Sequence, residues 1–109
     1  MPTVYKVLGQ SNPAATTATT LYTVPAATSA VVSTISVANL TGTAATFRIA
    51  IRPAGATLAN QHYLAYDVTV AASDTTVMTL GVTLATTDVI TVLASTANIA
   101  FSAFGSEIS

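Results

Sequence analysis

The sequence predicts an all-β protein, a single antiparallel β-sandwich of jelly-roll or immunoglobulin-like type with about eight strands. Apolar and polar residues alternate with a period of two along most of the chain, and no stretch of helical length has a period near 3.6. Turn-forming residues recur at intervals of about 8 to 12 residues, which is typical of sandwiches. The length of 109 residues fits one domain, so residues 1–109 are expected to fold as a unit.

The first half of the chain predicts four strands, each of which ends at turn-forming residues. These strands cover 4–8, 19–24, 30–39 and 47–52. Residues 9–17 contain Gly, Asn and Pro and predict a loop, and Pro25 ends the second strand. Residues 40–44 predict a hairpin around Gly42. Pro53 ends the fourth strand because it has no N–H to donate to a sheet.

The second half predicts four more strands by the same signals. These strands cover 62–70, 76–84, 89–94 and 98–104. Residues 56–61 predict a connection with one helical turn, and 71–74 and 86–88 predict turns. Gly81 interrupts the sixth strand and predicts a bulge or a bend there.

Alternation predicts which side chains share a face of the sheet. In the fourth strand, Phe47, Ile49 and Ile51 lie on one face, and Arg48 and Arg52 lie on the other. Three further sets are predicted to share a face: Val31, Ile35 and Val37 in the third strand, Leu64, Tyr66, Val68 and Val70 in the fifth, and Met78, Leu80, Val82 and Leu84 in the sixth.

The composition excludes several classes of function. Charged residues make up only 6% of the chain and the net charge is −1, which rules out the basic surface that nucleic-acid binding needs. There is no cysteine, so disulfides, thiolate zinc sites and cysteine nucleophiles are excluded. Residues 7–47 carry no charged side chain, but Thr, Ser, Asn and Pro interrupt them too often for a membrane helix.

The 21 Thr and 21 Ala residues predict a protein that works packed against copies of itself or partners. Threonine favours extended backbone and hydrates its hydroxyl, so it can coat the outer face of a sheet. A threonine hydroxyl that is buried in a contact needs one hydrogen bond, whereas a buried lysine costs several kcal/mol unless it is paired.

Few side chains could support catalysis or bind a metal. His62 and Asp67 are predicted to face opposite sides of their strand, so they form no local dyad. Asp74 and Asp88 lie in turns, where an aspartate usually accepts hydrogen bonds from backbone amides. Since each loop holds one carboxylate at most, no calcium site is expected. We therefore predict no enzyme activity and no catalytic, cofactor-binding or metal-binding residues.

Two sets of residues are candidates for partner binding. Arg48 and Arg52 share a face and could anchor a partner's carboxylates. Residues 1–17 are a candidate N-terminal arm, in which the uncharged loop with Gln10, Asn12 and Pro13 would reach a neighbour. Tyr63 and Tyr66 have opposite parity in the predicted strand, which means that they point to opposite faces of it. At most one of them therefore faces the core.

Four segments resemble small β-sandwich virion proteins of tailed bacteriophages, cyanophages among them. The segments are Tyr5-Lys-Val-Leu-Gly-Gln-Ser-Asn-Pro, Leu21-Tyr-Thr-Val-Pro, Phe47-Arg-Ile-Ala-Ile-Arg-Pro-Ala-Gly and Phe104-Gly-Ser-Glu-Ile. The resemblance implies a structural protein of the virion, of the capsid decoration (cement) type, with no catalytic residues to carry over. Its expected partners are copies of itself, as a homotrimer, and the major capsid protein, but neither nucleic acid nor a membrane.

Two alternatives stay open at this point. The protein could belong to the tail, the baseplate or a receptor-binding fibre of the same particle. It could also be a carbohydrate-binding module, because its aromatic residues could include a surface on which sugars stack.

Overall fold

The computed structural model describes residues 2–109, with every side chain in this range except that of Leu80. It contains eight strands: β1 (Thr3–Ser11), β2 (Thr19–Thr23), β3 (Ser29–Asn39), β4 (Ala45–Arg52), β5 (Tyr63–Val70), β6 (Thr75–Leu84), β7 (Val89–Ala94) and β8 (Ile99–Ile108). The only helical segments in this part of the chain are two short 3-10 turns, Pro53–Gly55 and Asn60–His62. The all-β prediction is confirmed.

The strands form two four-stranded antiparallel sheets, in the orders β1-β8-β3-β6 and β2-β7-β4-β5. Successive strands pass from one sheet to the other, except for β4 and β5, which are neighbours. This order is that of the eight-stranded jelly roll and differs from the immunoglobulin order, in which consecutive strands such as A and B pair directly. The antiparallel sandwich is therefore confirmed, and the strand order selects the jelly roll.

The predicted hairpin at Gly42 is wrong because β3 and β4 lie in different sheets. Residues 40–44 form a crossover between the sheets, and Asn39 holds it in place. The buried Asn39 side chain donates to Thr43 O at 2.8 Å and accepts from Thr41 N at 3.0 Å. A turn sequence specifies that the chain reverses, but it does not specify whether the next strand joins the same sheet.

The core lies between the two sheets and is built from apolar side chains of all eight strands. At its centre, Phe47 of one sheet and Phe101 of the other meet edge to face, with ring centroids 6.1 Å apart. Both rings are fully buried, and so is Ile49. Ile51 is partly buried and packs against the same core, so the predicted face of β4 is confirmed.

A bulge in β3 changes which of its side chains face the core. Val32 pairs with Gly105 and Thr34 pairs with Phe104, so Ser33 is an extra residue in β3. Val32 and Ile35 are fully buried, and Val31 is not, so the predicted shared face of Val31 and Ile35 is wrong. An extra residue shifts the alternation of all later side chains by one position.

The bulge predicted at Gly81 is confirmed in β6. Its pairing with β3 skips between Thr79 and Val82, opposite Ser33, within a single continuous strand. Leu84 is buried, and Met78 and Val82 are partly buried against the core, as their shared parity predicts. The fourth member of that set, the side chain of Leu80, lies outside the described part of the structure.

Strand β5 contains two irregularities, and they overturn its predicted face. Its pairing with β4 skips between Ala65 and Val68 and again between Tyr63 and Ala65. Ala65 is consequently buried, whereas Leu64 and Tyr66 are about half exposed. The prediction that Leu64, Tyr66, Val68 and Val70 share one face is wrong for this reason.

Strand β1 is longer than predicted. Residues 9–11, which were expected to lie in a loop, pair with β8. Gly9 lies so close to β2 that a side chain there would collide with the carbonyl oxygen of Leu21, which explains the glycine. Most of the candidate arm, Thr3–Ser11, is thus an edge strand of the first sheet, and residues 12–18 connect it to the second.

The two sheets are joined by polar contacts at both ends of the sandwich. At one end Asn39 Nδ2 donates to the carbonyl oxygen of Val70 in the opposite sheet, at 3.3 Å. At the other end the hydroxyl of buried Tyr22 in β2 donates to the Glu107 carboxylate in β8, which also receives Lys6 Nζ at 3.2 Å. These side chains fix the relative position of two layers that otherwise touch through apolar groups.

Candidate functional site

The outward side chains of β1, β8, β3 and β6 form one broad surface, which we call the uncharged face. Cross-strand rows such as Tyr5–Ser106–Val31 run across it. Every described side chain that points outward from this sheet is uncharged; most are Thr, Ser, Val or Ala. The charged residues of these strands, Lys6 and Glu107, lie on its inward side at one end, where they pair with each other.

The uncharged face exposes several large apolar side chains. Tyr5 is 84% exposed, Val77 61% and Val7 47%, and Phe104 lies beside Val7 in the neighbouring strand. An open depression of about 350 Å³ lies between Tyr5, Val31 and Phe104. Lys6 also lines this depression, and its ammonium is paired with Glu107. Apolar surface that is exposed in this way is typical of a contact with another macromolecule.

The outward face of the second sheet carries a different kind of site, which we call the tyrosine pocket. It is a depression of about 310 Å³ lined by Asn60, Tyr63 and Tyr66, and Arg48 and Asp67 lie beside it. The two tyrosine rings are perpendicular, with centroids 4.9 Å apart. The guanidinium of Arg48 stacks on Tyr66 at 4.0 Å from the ring centroid.

The irregular pairing of β5 creates this pocket. Tyr66 and Asp67 together lie opposite Arg48, and Tyr63 pairs with Ala50, so both rings point outward. The prediction that the tyrosines have opposite parity is wrong because the extra residues interrupt the alternation. Asp67 has a φ of 52°, a left-handed conformation that aspartate tolerates better than most residues.

Arg48 and Asp67 form a bidentate ion pair. Arg48 Nε donates to Asp67 Oδ1 at 2.7 Å and Nη2 donates to Oδ2 at 3.2 Å. This hydrogen bonding holds the pKa of Asp67 below its ordinary value and the pKa of Arg48 above its own. Both groups are therefore charged at neutral pH, and their charges cancel within the pocket.

Arg52, the second predicted arginine, has a clear structural role. Its Nε donates to Ala56 O at 2.6 Å and its Nη2 donates to Gly55 O at 3.0 Å. These bonds hold the connection from β4 to β5 close to the sheet. Arg52 shares a face with Arg48 as predicted, but the structure does not bring the two guanidinium groups into one site. Their role in partner binding stays a prediction.

The three candidates near the N-terminus are placed differently from one another. Gln10 is exposed at the edge of the uncharged face, where its Nε2 lies 3.4 Å from Ser102 Oγ. Asn12 Nδ2 donates to Ile99 O at 2.8 Å, and Pro13 is buried, so these two residues anchor the β1–β2 connection. Binding of a neighbour by this segment stays a prediction.

Asp74, Asp88 and His62 have structural contacts in their own turns. Asp74 Oδ1 accepts from Thr75 N and Asp88 Oδ2 from Ala85 N, as predicted for turn aspartates. His62 Nδ1 accepts a hydrogen bond from Ala59 N at 3.1 Å within the second 3-10 turn. In the described range, no group of three or more metal-ligating side chains comes together.

The tyrosine pocket is not predicted as a unit from the sequence. Arg48 and the two tyrosines are predicted separately, and neither Asn60 nor Asp67 is among the candidates for binding. The closeness of Arg48 to Asp67 depends on the β4–β5 pairing, and no local pattern in the sequence specifies the bulges that determine that pairing. The positions of two tyrosines and an aspartate within five residues were the only usable signal.

Comparison with known proteins adds no family to this description: no family model, curated protein or solved structure matches the chain. Over residues 2–109, the structure contains no helix long and apolar enough to span a membrane.

Proposed function

We propose that the protein is a capsid decoration protein of a tailed bacteriophage and that it binds major capsid subunits through the uncharged face. The observation that carries the proposal is an entire sheet face on which every described side chain is uncharged and several apolar side chains are exposed. The resemblance of the four sequence segments to virion proteins supports the location. The role is adhesive, without catalysis: the protein joins neighbouring capsid subunits as a homotrimer.

The composition of this face suits a dry contact. Ions cost several kcal/mol to bury unless they are paired, whereas a buried threonine hydroxyl is satisfied by one hydrogen bond. Soluble domains usually carry charge on about a quarter or more of their surface, which keeps copies apart. A sheet face without charge removes this barrier to close packing, so its affinity depends on area and fit.

The size of the face matches a modest interface that is repeated many times. Four strands about 4.8 Å apart and roughly 30 Å long cover about 600 Å². A standard interface buries about 800 Å² on each partner. On a particle, many copies and several contacts per trimer raise the effective affinity through multivalency.

The proposal is tested with particles assembled without the protein and then incubated with the purified chain. Bound protein is located by electron microscopy, and head rupture is followed on heating. We expect bound protein on the head and rupture at a higher temperature than in bare particles. Equal heat stability of decorated and bare heads would contradict the cementing role, and density on the tail or fibres would favour that alternative.

A matched pair of variants tests the face itself. Thr79 and Thr69 are exposed threonines on the edge strands β6 and β5, and they point outward from opposite sheets. Thr79→Glu places a charge on the uncharged face, and we expect at least about tenfold weaker binding to particles. Thr69→Glu should bind like the wild type. Equal binding by all three proteins would exclude this face as the contact.

The oligomer is tested by the solution mass over a range of salt concentrations. Contacts made by apolar and hydroxyl groups should survive about 1 M NaCl, because screening acts on charges. A trimer that dissociates as salt rises would instead indicate Arg48 or Arg52 as the main contact, and a monomer in all conditions would contradict the homotrimer.

A further inference from the structure

We propose that the tyrosine pocket binds a neutral saccharide. The pocket lies on the sheet opposite the uncharged face, so it stays open when that face is covered. The inference does not rest on the proposed function, because the pocket is complete within one chain. It rests on three features that occur together: aromatic surface, fixed polar groups of both kinds, and a balanced charge.

The aromatic surface comes from the two tyrosines. Tyr66 is 55% exposed although Arg48 stacks on it, and the half-buried Tyr63 stands perpendicular to it. Sugar rings present C–H groups on their faces, and these groups pack favourably on an aromatic ring. Two perpendicular rings form a corner that contacts a sugar on a face and an edge together.

The polar groups supply both donors and acceptors. A guanidinium has five N–H donors, and the ion pair with Asp67 engages two of the five in Arg48. The carboxylate oxygens of Asp67 can each accept a further hydrogen bond, and its side chain is 48% exposed. The exposed Asn60 amide offers a donor and an acceptor. Neighbouring sugar hydroxyls need such mixed partners, because each hydroxyl donates once and also accepts.

The charges favour a neutral ligand. Arg48 and Asp67 cancel each other within the pocket, so an acidic sugar meets Asp67 without a free cation to compensate. The ion pair and the cation–π contact also hold both polar side chains in place before a ligand arrives, which reduces the entropy cost of binding. The volume of about 310 Å³ is at the lower end for ligand sites and suits a short saccharide.

The test is a titration of the ¹⁵N-labelled protein, followed by amide chemical shifts. The probes are maltotriose, cellotriose, mannotriose and triacetylchitotriose, with sialyllactose as the acidic comparison. We expect at least one neutral probe to cause saturable shifts centred on residues 60–67. Absence of such shifts with all four neutral probes would overturn the proposal, as would stronger binding of sialyllactose than of any neutral probe.

Three variants assign the binding to the pocket. Tyr66→Ala should weaken binding of the responding probe by at least about tenfold, as truncation of a central aromatic contact does. Tyr66→Phe keeps the ring and should retain most of the affinity. Tyr5→Ala is the matched control, because it removes an exposed tyrosine from the uncharged face. Unchanged binding by Tyr66→Ala, or an equal loss in Tyr5→Ala, would overturn the proposal.

Discussion

The two outward faces of this sandwich differ in the chemistry of their side chains. The uncharged face has no charge among its described side chains and consists of hydroxyls, methyls and a few large apolar groups. The face of the second sheet carries Arg48, Arg52 and Asp67 beside two tyrosines, and the connection from β4 to β5 covers part of it. The low overall charge of the chain is therefore distributed unevenly.

This difference separates two ways of contacting other molecules. A broad face without charge binds through its area, its shape and the hydrogen bonds of its hydroxyls, and it tolerates a range of partners that fit. A pocket with fixed donors, acceptors and rings selects a ligand by its chemistry. The same fold supports both because the sheets share one core and their outer faces are independent of each other.

The largest effect is expected where the two sheets meet. Phe47→Ala and Phe101→Ala each remove a fully buried ring, and each should lower the free energy of unfolding by about 3 to 5 kcal/mol in urea denaturation. Because the two rings are in contact, the loss of unfolding free energy in the double variant should be less than the sum of the losses in the two single variants. If only one of the two single variants lost well under 1 kcal/mol, the two rings would not contribute equally to the stability of the core.

The second-largest effect on stability is expected where the backbones of β3 and β8 approach each other beneath the uncharged face. A side chain at Gly105 would collide with the carbonyl oxygen of Val31, so Gly105→Ala should destabilise the protein by about 1 to 3 kcal/mol. Gly42→Ala is the control, since nothing lies within 4 Å of the added carbon and the change should stay under about 0.5 kcal/mol. Similar melting curves for the two variants would argue against close strand approach at the β3 bulge.

A smaller effect is expected from the polar contact between the sheets. Tyr22→Phe removes the hydroxyl that donates to Glu107 and should lower stability by about 1 to 2 kcal/mol at neutral pH. The hydrogen bond from Tyr22 is the main cause that lowers the pKa of Glu107, and Lys6 lowers it further. Burial is the main cause that raises the pKa of Tyr22, and the hydrogen bond to Glu107 raises it further.

The sign of the pH dependence follows from these two shifts. Stabilisation from Glu107 is present above its unfolded pKa, about 4.3, and is lost as pH falls through the lowered folded value. Stabilisation from Tyr22 is lost as pH rises beyond about 10, the unfolded value. The difference in unfolding free energy between the wild type and Tyr22→Phe should therefore decrease at both acid and alkaline pH. A constant difference from acid to alkaline pH would show that the ionised carboxylate is not the acceptor.

The smallest effect on stability is expected from the variants that test binding. Thr79→Glu and Thr69→Glu change exposed positions and should shift the unfolding free energy by no more than about 0.5 kcal/mol. This expectation is checked by thermal denaturation of each variant before any binding experiment. A large loss for Thr79→Glu would mean that weakened particle binding reports unfolding rather than a contact.

Several elements could be predicted from the sequence because they depend on local chemistry. The face of β4 follows from the alternation of Phe47 and Ile49, and Asp74 binds the backbone within its own turn, as short side chains in turns commonly do. Gly81 marked its bulge because glycine is common where a strand becomes irregular. The prediction failed at Val31 and at Tyr66, where bulges occur without glycine or proline to mark them.

Composition and alternation alone determined that this chain folds into an antiparallel sandwich with little charge, since both properties can be read within a few neighbouring residues. The tertiary structure decided the jelly-roll order, the face that lacks charge and the meeting of Arg48, Tyr66 and Asp67. The physical reason is the register between strands that are distant in sequence. An extra residue such as Ser33 in β3 moves the later side chains of its strand to the opposite face, and the packing of the whole sandwich determines where that residue is accommodated.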